Sequence, residues 1–406
     1  MSNVSEIQSS PHPVHRVAFI TSHPIQYQVP LFRLLASRQE IDLTVYFCSR
    51  WGLDSYRDPG FGQRIAWDVD LLSGYRHRFL SNCGFSDGPD GFAGLINPAI
   101  ASVMWKDFDA VVTGGWYTAN HWITWLSAVV FRTPLLLRAE SNGLSERSGL
   151  KCRLKHGLLR AMFRRIDGFL AIGTRSSDYY RSLGIPARKF TLAPYAVENE
   201  RFFLAHEKLR GMKASLRAKH GMPVDRALFV FSGKLIPVKR PFDLLHAFHA
   251  AQQLGMSAAL AFVGDGQLKP ALEAHVREKK IKDVYFMGFK NQTEIAECYA
   301  IGDLLVLPSE HEPWGLVVNE AMCFGLAIVA SNRVGSAPDL VKDGINGVTY
   351  MAGDIDRLSE WLRDLAAAPD VVARMGEESK RIVSQWGLKQ GVDGIVASLN
   401  RLRGRS

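Results

Sequence analysis

The sequence has few of the features that stabilise secreted or membrane-spanning proteins. Its 406 residues contain five cysteines, an odd number, scattered along the chain without a Cys-x-x-Cys pair. This pattern argues against a disulfide framework or a zinc site and favours reduced thiols in a cytosolic protein. The longest apolar region, residues 122–137, is interrupted by Arg132 and Pro134. A membrane span needs roughly 20 uninterrupted apolar residues, so we expect a buried helix followed by a strand here.

The start of the chain also lacks an apolar segment. Residues 1–15 contain two prolines and no apolar core, which predicts a disordered tail and not a signal peptide. The chain shows no internal repeat and no low-complexity segment. Its 47% of apolar residues can build sizeable cores. Its net charge of +9 indicates an anionic partner, namely a nucleotide, a membrane surface or a nucleic acid.

The most informative stretch is residues 309–325, S-E-H-E-P-W-G-L-V-V-N-E-A-M-C-F-G. The apolar runs on either side, 303–307 and 326–330, are typical of buried parallel strands. Pro313 suits the first position of a helix, and Gly325 suits a left-handed residue at its end. Ligands of open α/β sheets bind at the carboxyl ends of such strands, facing helix N-termini.

Two carboxylates occupy this stretch, Glu312 in the loop and Glu320 within the predicted helix. A ligand with a phosphate and a hydroxylated ring would use both. The N–H groups after Trp314, at Gly315 and Leu316, would face phosphate oxygens, and Glu320 would accept hydrogen bonds from ribose hydroxyls. Glu312 would lie near the sugar carbon that carries the leaving group. The alternative is one solvated glutamate and one on a helix surface.

Residues 312–325, followed by Val329-Ala330-Ser331, resemble the E-x7-E signature of family-four retaining glycosyltransferases, of the glycosyl transferase group 1 type. The resemblance covers nearly the whole chain and implies the GT-B fold, an α/β architecture of two Rossmann-like domains facing across a cleft. We expect a disordered tail at 1–15 and an acceptor-binding domain at 16–205. A nucleotide-sugar-binding domain should follow at 206–385, and residues 386–406 should return to the first domain.

The resemblance also assigns the donor site. Gly233 and Lys234 follow the predicted strand 228–231, and with Lys239 they would grip the diphosphate of a nucleoside-diphosphate sugar. Lys234 stands where the family has an arginine, which keeps the charge without the bidentate fork. Gly264 and Gly288 would complete the site. Because lysines and a helix N-terminus neutralise the diphosphate in this fold, the resemblance implies no metal or other cofactor.

The N-terminal half supplies the predicted acceptor contacts. The strand 16–21 runs into a polar segment in which His23 and Gln26 would contact the acceptor or the donor phosphates; alternatively, His23 only bonds to backbone. Trp116 follows the strand 110–113 and would stack on a sugar or belong to the core. The long region 51–97 would shape the acceptor pocket.

Glu140 ends the predicted strand of residues 134–140, where the family usually has a histidine that reaches the reacting sugar. An ionised glutamate cannot supply the positive charge of that histidine. We therefore assign Glu140 a catalytic role in accepting the acceptor's proton or in hydrogen-bonding sugar hydroxyls. The alternative is an ion pair with Arg138.

Residues 151–165 predict a basic amphipathic helix. Leu154, Leu158 and Met162 share one face, which should pack on the domain. The opposite face carries cations, Arg153, Lys155, Arg160 and Arg164. Such a helix is typical of a protein that lies on anionic lipid; the alternative is a core-facing helix with a solvated basic face.

Together these features predict a retaining hexosyltransferase that uses a nucleoside-diphosphate sugar. Its acceptor would be a saccharide or lipid-linked saccharide in surface polysaccharide or lipopolysaccharide biosynthesis. We expect a cytoplasmic protein with peripheral contact to the anionic inner face of the membrane, and no nucleic acid partner. The alternatives are a catalytically inactive nucleotide-sugar-binding protein and a nucleotide-sugar epimerase of the same fold.

Overall fold

The computed structural model describes residues 14–58, 60–89, 91–143 and 150–404, with no side-chain description for residues 150–153. The first thirteen residues of the predicted tail lie outside the described part. His15 belongs to the first strand instead of the tail, and its Nε2 lies 2.8 Å from Oδ1 of Asn400. No described helix is long and apolar enough to cross a membrane.

The N-terminal half contains nine strands and five helices within the described ranges. The strands are β1 (His15–Thr21), β2 (Ile41–Phe47), β3 (Tyr56–Asp58), β4 (Gln63–Ile65), β5 (Arg76–Phe79), β6 (Ala110–Thr113), β7 (Leu135–Leu137), β8 (Gly168–Ala171) and β9 (Phe190–Leu192). The helices are α1 (Val29–Ala36), α2 (Ile100–Met104), α3 (Ala119–Phe131), α4 (Leu150–Arg164) and α5 (Thr174–Ser182).

Seven of these strands form one parallel sheet in the order β5-β2-β1-β6-β7-β8-β9. Its central strands are apolar on both faces because helices cover both, as all-parallel sheets require. The strands β3 and β4 lie apart from this sheet and pair antiparallel as a hairpin.

The C-terminal half repeats the same architecture. Its strands are β10 (Ala227–Ser232), β11 (Ala258–Val263), β12 (Val284–Gly288), β13 (Leu304–Leu307), β14 (Ala327–Ser331) and β15 (Gly347–Tyr350). Its helices are α6 (Asn199–Leu209), α7 (Lys213–Lys219), α8 (Pro241–Gln253), α9 (Lys269–Lys279), α10 (Ile295–Ala300), α11 (Leu316–Cys323), α12 (Ala337–Leu340), α13 (Ile355–Ala366) and α14 (Pro369–Ser384), before the final α15 (Leu388–Arg403).

The second sheet is also parallel throughout, in the order β12-β11-β10-β13-β14-β15. Counted from the first strand of this half, that order is 3-2-1-4-5-6, the doubly wound Rossmann order. The two Rossmann-like domains that the sequence predicts are therefore confirmed. The predicted strand at 110–113 has the bounds of β6, and those at 303–307 and 326–330 match β13 and β14 within one residue at each end.

Two helices connect the halves. Phe202 of α6 packs in the C-terminal core, with its ring 6.3 Å from that of Phe324. The predicted boundary at residue 205 thus falls inside a helix that packs on the second domain, and we propose that the boundary precedes Asn199. In α15, Val392, Ile395 and Leu399 belong to the core cluster of the N-terminal sheet, so the chain returns to the first domain.

Helix α3 differs from the predicted buried helix. Its buried side chains are polar or small, namely Asn120, Thr124, Ser127 and Ala128. Trp122, Ile123 and Trp125 pack partly buried against the core, whereas the apolar side chains of the last turns are exposed, Leu126 by 57%, Val129 by 36%, Val130 by 63% and Phe131 by 36%. Apolar content does not say which face of a helix turns inward. Here Asn120 faces in because its side chain accepts from the N–H of Asn97 and donates to the Asn97 side chain.

Helix α4 corrects a second expectation. Leu154 and Leu158, predicted to pack on the domain, are 68% and 56% exposed. Met162 is buried as predicted, and it is joined by Leu159 and Phe163 on the helix and by Ile166 just after its end. Of the predicted cations, the Arg153 side chain lies outside the described part. Lys155 places its Nζ 4.8 Å from the Trp116 ring centre.

We expect Ile395→Ala to lower the free energy of unfolding by about 2–5 kcal/mol, because it removes fully buried methylenes and leaves a cavity between α15 and the N-terminal sheet. Urea denaturation followed by circular dichroism would measure the change. Val396→Ala, at the neighbouring half-buried position, is the control and should cost clearly less. Equal stability of Ile395→Ala and the wild type would contradict the packing of α15 on the first domain.

Candidate active site

The loop before α11 carries Glu312, and its backbone is fixed from both domains. The Glu312 carbonyl accepts the N–H of Gly335 at 2.9 Å, and the Pro313 carbonyl accepts the Asn142 side-chain amide at 3.0 Å. A side chain at Gly335 would place its Cβ 1.9 Å from the Pro313 carbonyl oxygen, so only glycine fits there. Helix α11 starts at Leu316, three residues after the predicted Pro313, because Gly315 is left-handed at φ +90°.

Two predicted donor contacts do not line the site. Trp314 is 3% exposed; its ring stacks on that of Trp386 at 5.6 Å, and its Nε1 donates to Asn319 Oδ1 at 3.0 Å. Trp314 is therefore a packing residue between the domains. Gly288 lies behind the site, where its carbonyl accepts the N–H of Gly264 at 2.8 Å.

Two cavities meet between the domains. The first, which we call the C-side cavity, has about 520 Å³ and is lined by most of the predicted donor residues, namely Gly233, Lys234, Lys239, Gly264, Gly315, Leu316 and Glu320, and by Glu312. The second, the N-side cavity, has about 500 Å³ and is lined by Trp116, Glu140 and the strand ends of the first sheet. His23, Ile25 and Tyr27 line both cavities, which therefore adjoin.

Both predicted diphosphate lysines are paired with carboxylates. Lys239 Nζ forms an ion pair with Glu312 Oε2 within the C-terminal domain. Lys234 Nζ lies 2.9 and 3.0 Å from the two carboxylate oxygens of Asp58, which comes from the β3–β4 hairpin of the other domain. The cations that would receive a diphosphate thus carry internal anions in this state.

Glu320 lines the same cavity and is largely surrounded by protein. The Tyr299 hydroxyl donates to its Oε2 at 2.6 Å, and that hydroxyl lies 3.1 Å from the Ser232 hydroxyl. Burial raises the pKa of Glu320 to about 7, against the opposing effects of the Tyr299 hydrogen bond and the charge of Arg201. This carboxyl group therefore changes charge near neutral pH, where it faces the cavity.

Glu140 projects into the N-side cavity. The Tyr195 hydroxyl donates to its Oε1 at 2.5 Å and the Tyr27 hydroxyl at 3.5 Å. The side chain is open to the water of the cleft, yet crowding by protein atoms raises its pKa, and the negative charge of Glu312 acts in the same direction. Arg138, the alternative partner, instead donates to the Pro194 carbonyl and stacks 4.7 Å over the Tyr195 ring.

The predicted acceptor residues divide between the two cavities. Trp116 lines the N-side cavity and donates from Nε1 to Ser141 Oγ at 2.8 Å. Gln26 lines the C-side cavity. His23 lies at the junction, with its ring edge-on to Trp51, and burial lowers its pKa to about 4, so it is neutral at physiological pH.

Sequence reasoning missed several residues of the site. Arg201 lines the C-side cavity and donates to the Gln292 side chain at 2.6 Å. Asp58, Tyr195 and Tyr299 hold Lys234, Glu140 and Glu320. The sequence analysis assigns none of these four residues to the site, because only the folded chain brings them there.

Within the described ranges, no group of three or more His, Cys, Asp or Glu side chains is placed to hold a metal ion. The sequence contains three Asp-x-Asp triplets, at 68–70, 107–109 and 354–356, a spacing that suits a divalent cation, and the first of them lies nearest the cleft. In the structure Asp68 accepts the N–H groups of Gln292 and Thr293, and Asp70 accepts those of Leu72 and Ser73. Both carboxylates therefore cap backbone instead of facing one another across a site.

We expect Glu320 to contribute a fall in the free energy of unfolding as pH rises from about 4.5 to 7, opposite in sign to the contribution of His23 and His121, whose pKa values are lowered by burial. The pKa of Glu320 is raised in the folded state, so the folded protein holds a proton there that the unfolded chain loses above its ordinary pKa of 4.5. Glu320→Gln should remove this contribution and so change the slope of stability against pH toward a rise, measured by denaturation at several pH values. Glu310→Gln, at an exposed position, is the control. An unchanged slope in Glu320→Gln would contradict the raised pKa.

Comparison with known proteins supports both the domain and the fold. Residues 212–382 match the family Glycosyl transferases group 1. A curated D-inositol 3-phosphate glycosyltransferase of Streptomyces coelicolor is 31% identical over 185 residues, which are 43% of this chain and 40% of that protein. The match thus spans well under two thirds of that relative's length.

Two solved structures resemble nearly the whole chain. Anabaena Alr3699/HepE in complex with UDP-glucose has a TM-score of 0.67 at 17% identity, covering 95% of this chain and 100% of that chain. WaaG, a glycosyltransferase involved in lipopolysaccharide biosynthesis, has a TM-score of 0.65 at 16% identity, covering 94% and 98%. Residues 212–382 thus resemble a Glycosyl transferases group 1 domain, and the chain as a whole has the GT-B fold of two Rossmann-like domains.

Proposed function

We propose that the protein is a retaining glycosyltransferase that moves a hexose from a nucleoside-diphosphate sugar to a hydroxyl group of a saccharide or lipid-linked saccharide. The observation that carries this proposal is the pair of adjoining cavities, with the Glu312 side chain in one and Glu140 in the other. A transferase needs this arrangement because donor and acceptor must be held side by side in reacting geometry.

The C-side cavity fits the donor. Its volume of about 520 Å³ suits a small-molecule ligand. Lys234 and Lys239 would hold the diphosphate together with the free N–H groups at the start of α11, where the helix dipole favours an anion. Glu320 would accept hydrogen bonds from the ribose hydroxyls. The bound UDP-glucose of the Anabaena neighbour supports a donor of this class.

Glu312 would stabilise the sugar carbon as the diphosphate departs, and the two lysines would stabilise the negative charge that develops on it. In the C-side cavity Glu312 forms an ion pair with Lys239. Once the diphosphate takes Lys239, Glu312 becomes free to face the sugar. Closure of the two domains would exclude water from this step.

The N-side cavity fits the acceptor. Glu140 lies there beside two tyrosine hydroxyls, and its raised pKa brings it closer to the range in which a carboxylate can take the proton of an attacking hydroxyl. Trp116 offers a ring at the wall of the cavity, the kind of surface on which sugars stack.

The exposed apolar side chains beside this cavity support a lipid-linked acceptor. Helix α3 begins with residues that line the N-side cavity, including Asn120 and His121, and continues into its exposed apolar face. On α4, Leu154 and Leu158 add to the exposed apolar surface. Exposed cations accompany them on these two helices or directly after them, namely Arg132, Arg160, Arg164 and Arg165. Apolar and cationic side chains together fit an anionic lipid surface.

We therefore propose a role in surface polysaccharide or lipopolysaccharide biosynthesis, with the protein in the cytoplasm and in peripheral contact with the inner face of the membrane. The likeness to WaaG, a glycosyltransferase involved in lipopolysaccharide biosynthesis, supports the role in lipopolysaccharide biosynthesis. A screen of nucleoside-diphosphate sugars by thermal shift would identify the donor, since a ligand at a hundred times its dissociation constant adds about 2.7 kcal/mol of stability. Transfer of labelled sugar to an acceptor, with retained anomeric configuration by NMR, would then test the reaction.

The same assays separate the two rival functions. A catalytically inactive binding protein would show a thermal shift with no release of sugar from the labelled donor. An epimerase would convert the donor with no acceptor present. Either result would contradict transfer.

We expect Glu312→Gln to lower kcat by on the order of 100-fold or more, since it removes a charge that acts mainly in the transition state. Glu320→Gln should mainly raise the donor KM, by roughly 10-fold, through weakened hydrogen bonds to the ribose. Steady-state kinetics with varied donor would separate the effects. Wild-type kinetics for both variants would contradict the assignment of the C-side cavity.

We also expect the protein to bind vesicles of phosphatidylcholine and phosphatidylglycerol at low salt and to leave them as salt rises. The double variant Leu126→Ser/Val130→Ser should weaken this binding, because each loses apolar area that would enter the lipid. Arg160→Glu/Arg164→Glu should weaken it further, since each cation near an anionic surface contributes about 1 kcal/mol.

Leu254→Ser is the matched control, because Leu254 is 66% exposed but lies at the end of α8 in the other domain. Cosedimentation with vesicles would measure each variant. If the wild type ignores these vesicles at low salt, or if the α3 double variant binds as well as the wild type, membrane contact through this surface is excluded.

A further inference from the structure

A hairpin of the N-terminal domain reaches across the cleft to the C-side cavity. We call β3, β4, residues 60–62 between them and residues 66–68 together the strap. At its turn, Phe61 contacts Phe289 of the other domain, with ring centres 4.9 Å apart. At its end, Asp68 accepts the N–H groups of Gln292 and Thr293, and the Ala66 carbonyl accepts the Asn291 side-chain amide at 2.7 Å.

The strap brings a carboxylate to Lys234. Both oxygens of Asp58 lie within 3.0 Å of Lys234 Nζ, and the same Nζ lies 4.9 Å from the centre of the Phe61 ring. The backbone of the turn also holds the Asp58 side chain in position, because its Oδ1 accepts the N–H groups of Gly60 and Phe61 at 2.8 and 3.0 Å. The Asp58 side chain is only 9% exposed, so its charge depends on Lys234 for compensation.

This contact occupies the cation that the proposed function assigns to the donor diphosphate. Lys234, Asp58 and Phe61 all line the C-side cavity. A diphosphate that binds Lys234 must therefore displace the Asp58 carboxylate, because otherwise two anions would share one lysine. A buried carboxylate without its cation is strongly unfavourable, so the exchange also displaces the strap from Lys234.

We propose that Asp58 is an internal competitor of the donor diphosphate: it neutralises Lys234 in the empty site and couples nucleotide binding to release of the strap. The inference rests on the proposed function, because it needs Lys234 to bind a diphosphate. It identifies Asp58 as a residue that lowers donor affinity, opposite to the effect of an ordinary binding residue.

Asp58→Asn tests the proposal with little disturbance of the strap, because an asparagine Oδ1 can still accept the N–H groups of Gly60 and Phe61. Isothermal titration calorimetry with UDP as the probe should show binding on the order of fivefold tighter than in the wild type, the effect of losing one competing ion pair. Binding of uridine, which has no phosphate, should stay unchanged. In a Lys234→Met background, Asp58→Asn should give no gain, since the competition acts only through Lys234.

Asp54→Asn is the matched control. Asp54 is an exposed aspartate four residues earlier that does not line the cavity, so this variant removes the same charge without touching Lys234. A gain in Asp54→Asn equal to that in Asp58→Asn would overturn the proposal in favour of a general charge effect. Weaker or unchanged UDP binding in Asp58→Asn, with Lys234→Met still weakening it, would overturn the proposal while the donor site stands. If neither the wild type nor any variant binds a nucleoside diphosphate, the proposed function itself fails.

Discussion

The position of Glu312 depends on a backbone loop wedged between the two domains. Trp314 stacks on Trp386 and fills the space beside Gly173, where an added Cβ would lie 2.4 Å from the indole ring. Asp339, on the helix behind the loop, accepts the N–H and hydroxyl of Thr174 at the start of α5. These contacts tie the loop to the N-terminal domain, so a relative movement of the domains must be accommodated beside Glu312. Trp314 thus packs between the domains, two residues after the glutamate to which we assign the chemistry.

The two lysines assigned to the diphosphate are neutralised by carboxylates of the protein itself. Lys239 and Glu312 neutralise one another within one domain, and Lys234 and Asp58 do so across the cleft. A buried lysine without an anion would be costly, and a cleft left open to many anions would be unspecific. Internal carboxylates address both problems, since only a ligand that offers a better arranged anion displaces them. If the proposed function holds, donor binding would free Glu312 as the sugar arrives and so link occupancy of the diphosphate site to readiness for transfer.

The sequence predicted the parts of this structure that local pattern controls. Buried parallel strands such as β6 and β13 are continuous apolar runs. Glu312 and Glu320 lie in one loop and the helix that follows it, so their positions relative to each other depend on local structure alone. It could not predict Asp58 opposite Lys234, because 176 positions separate them and no repeating pattern relates them. It also could not orient α3, whose apolar residues go round much of the helix. Its inward side carries Asn120, hydrogen-bonded to Asn97, beside the partly buried Trp122, Ile123 and Trp125, and periodicity does not record those hydrogen bonds.

Glu140 shows how one exchanged residue changes the requirements of a site. Where the resemblance implies a histidine, this chain places a second carboxylate near Glu312, and two neighbouring negative charges disfavour one another. The hydroxyls of Tyr27 and Tyr195 partly compensate by donating to Glu140, and Arg138 lies beside them against the Tyr195 ring. A neutral or cationic histidine would donate to the sugar; a carboxylate held by tyrosines accepts. Under the proposed function, the hydrogen bonds that the resemblance expects from a histidine would have to come from other groups, and His23, neutral and at the junction of the two cavities, is one candidate.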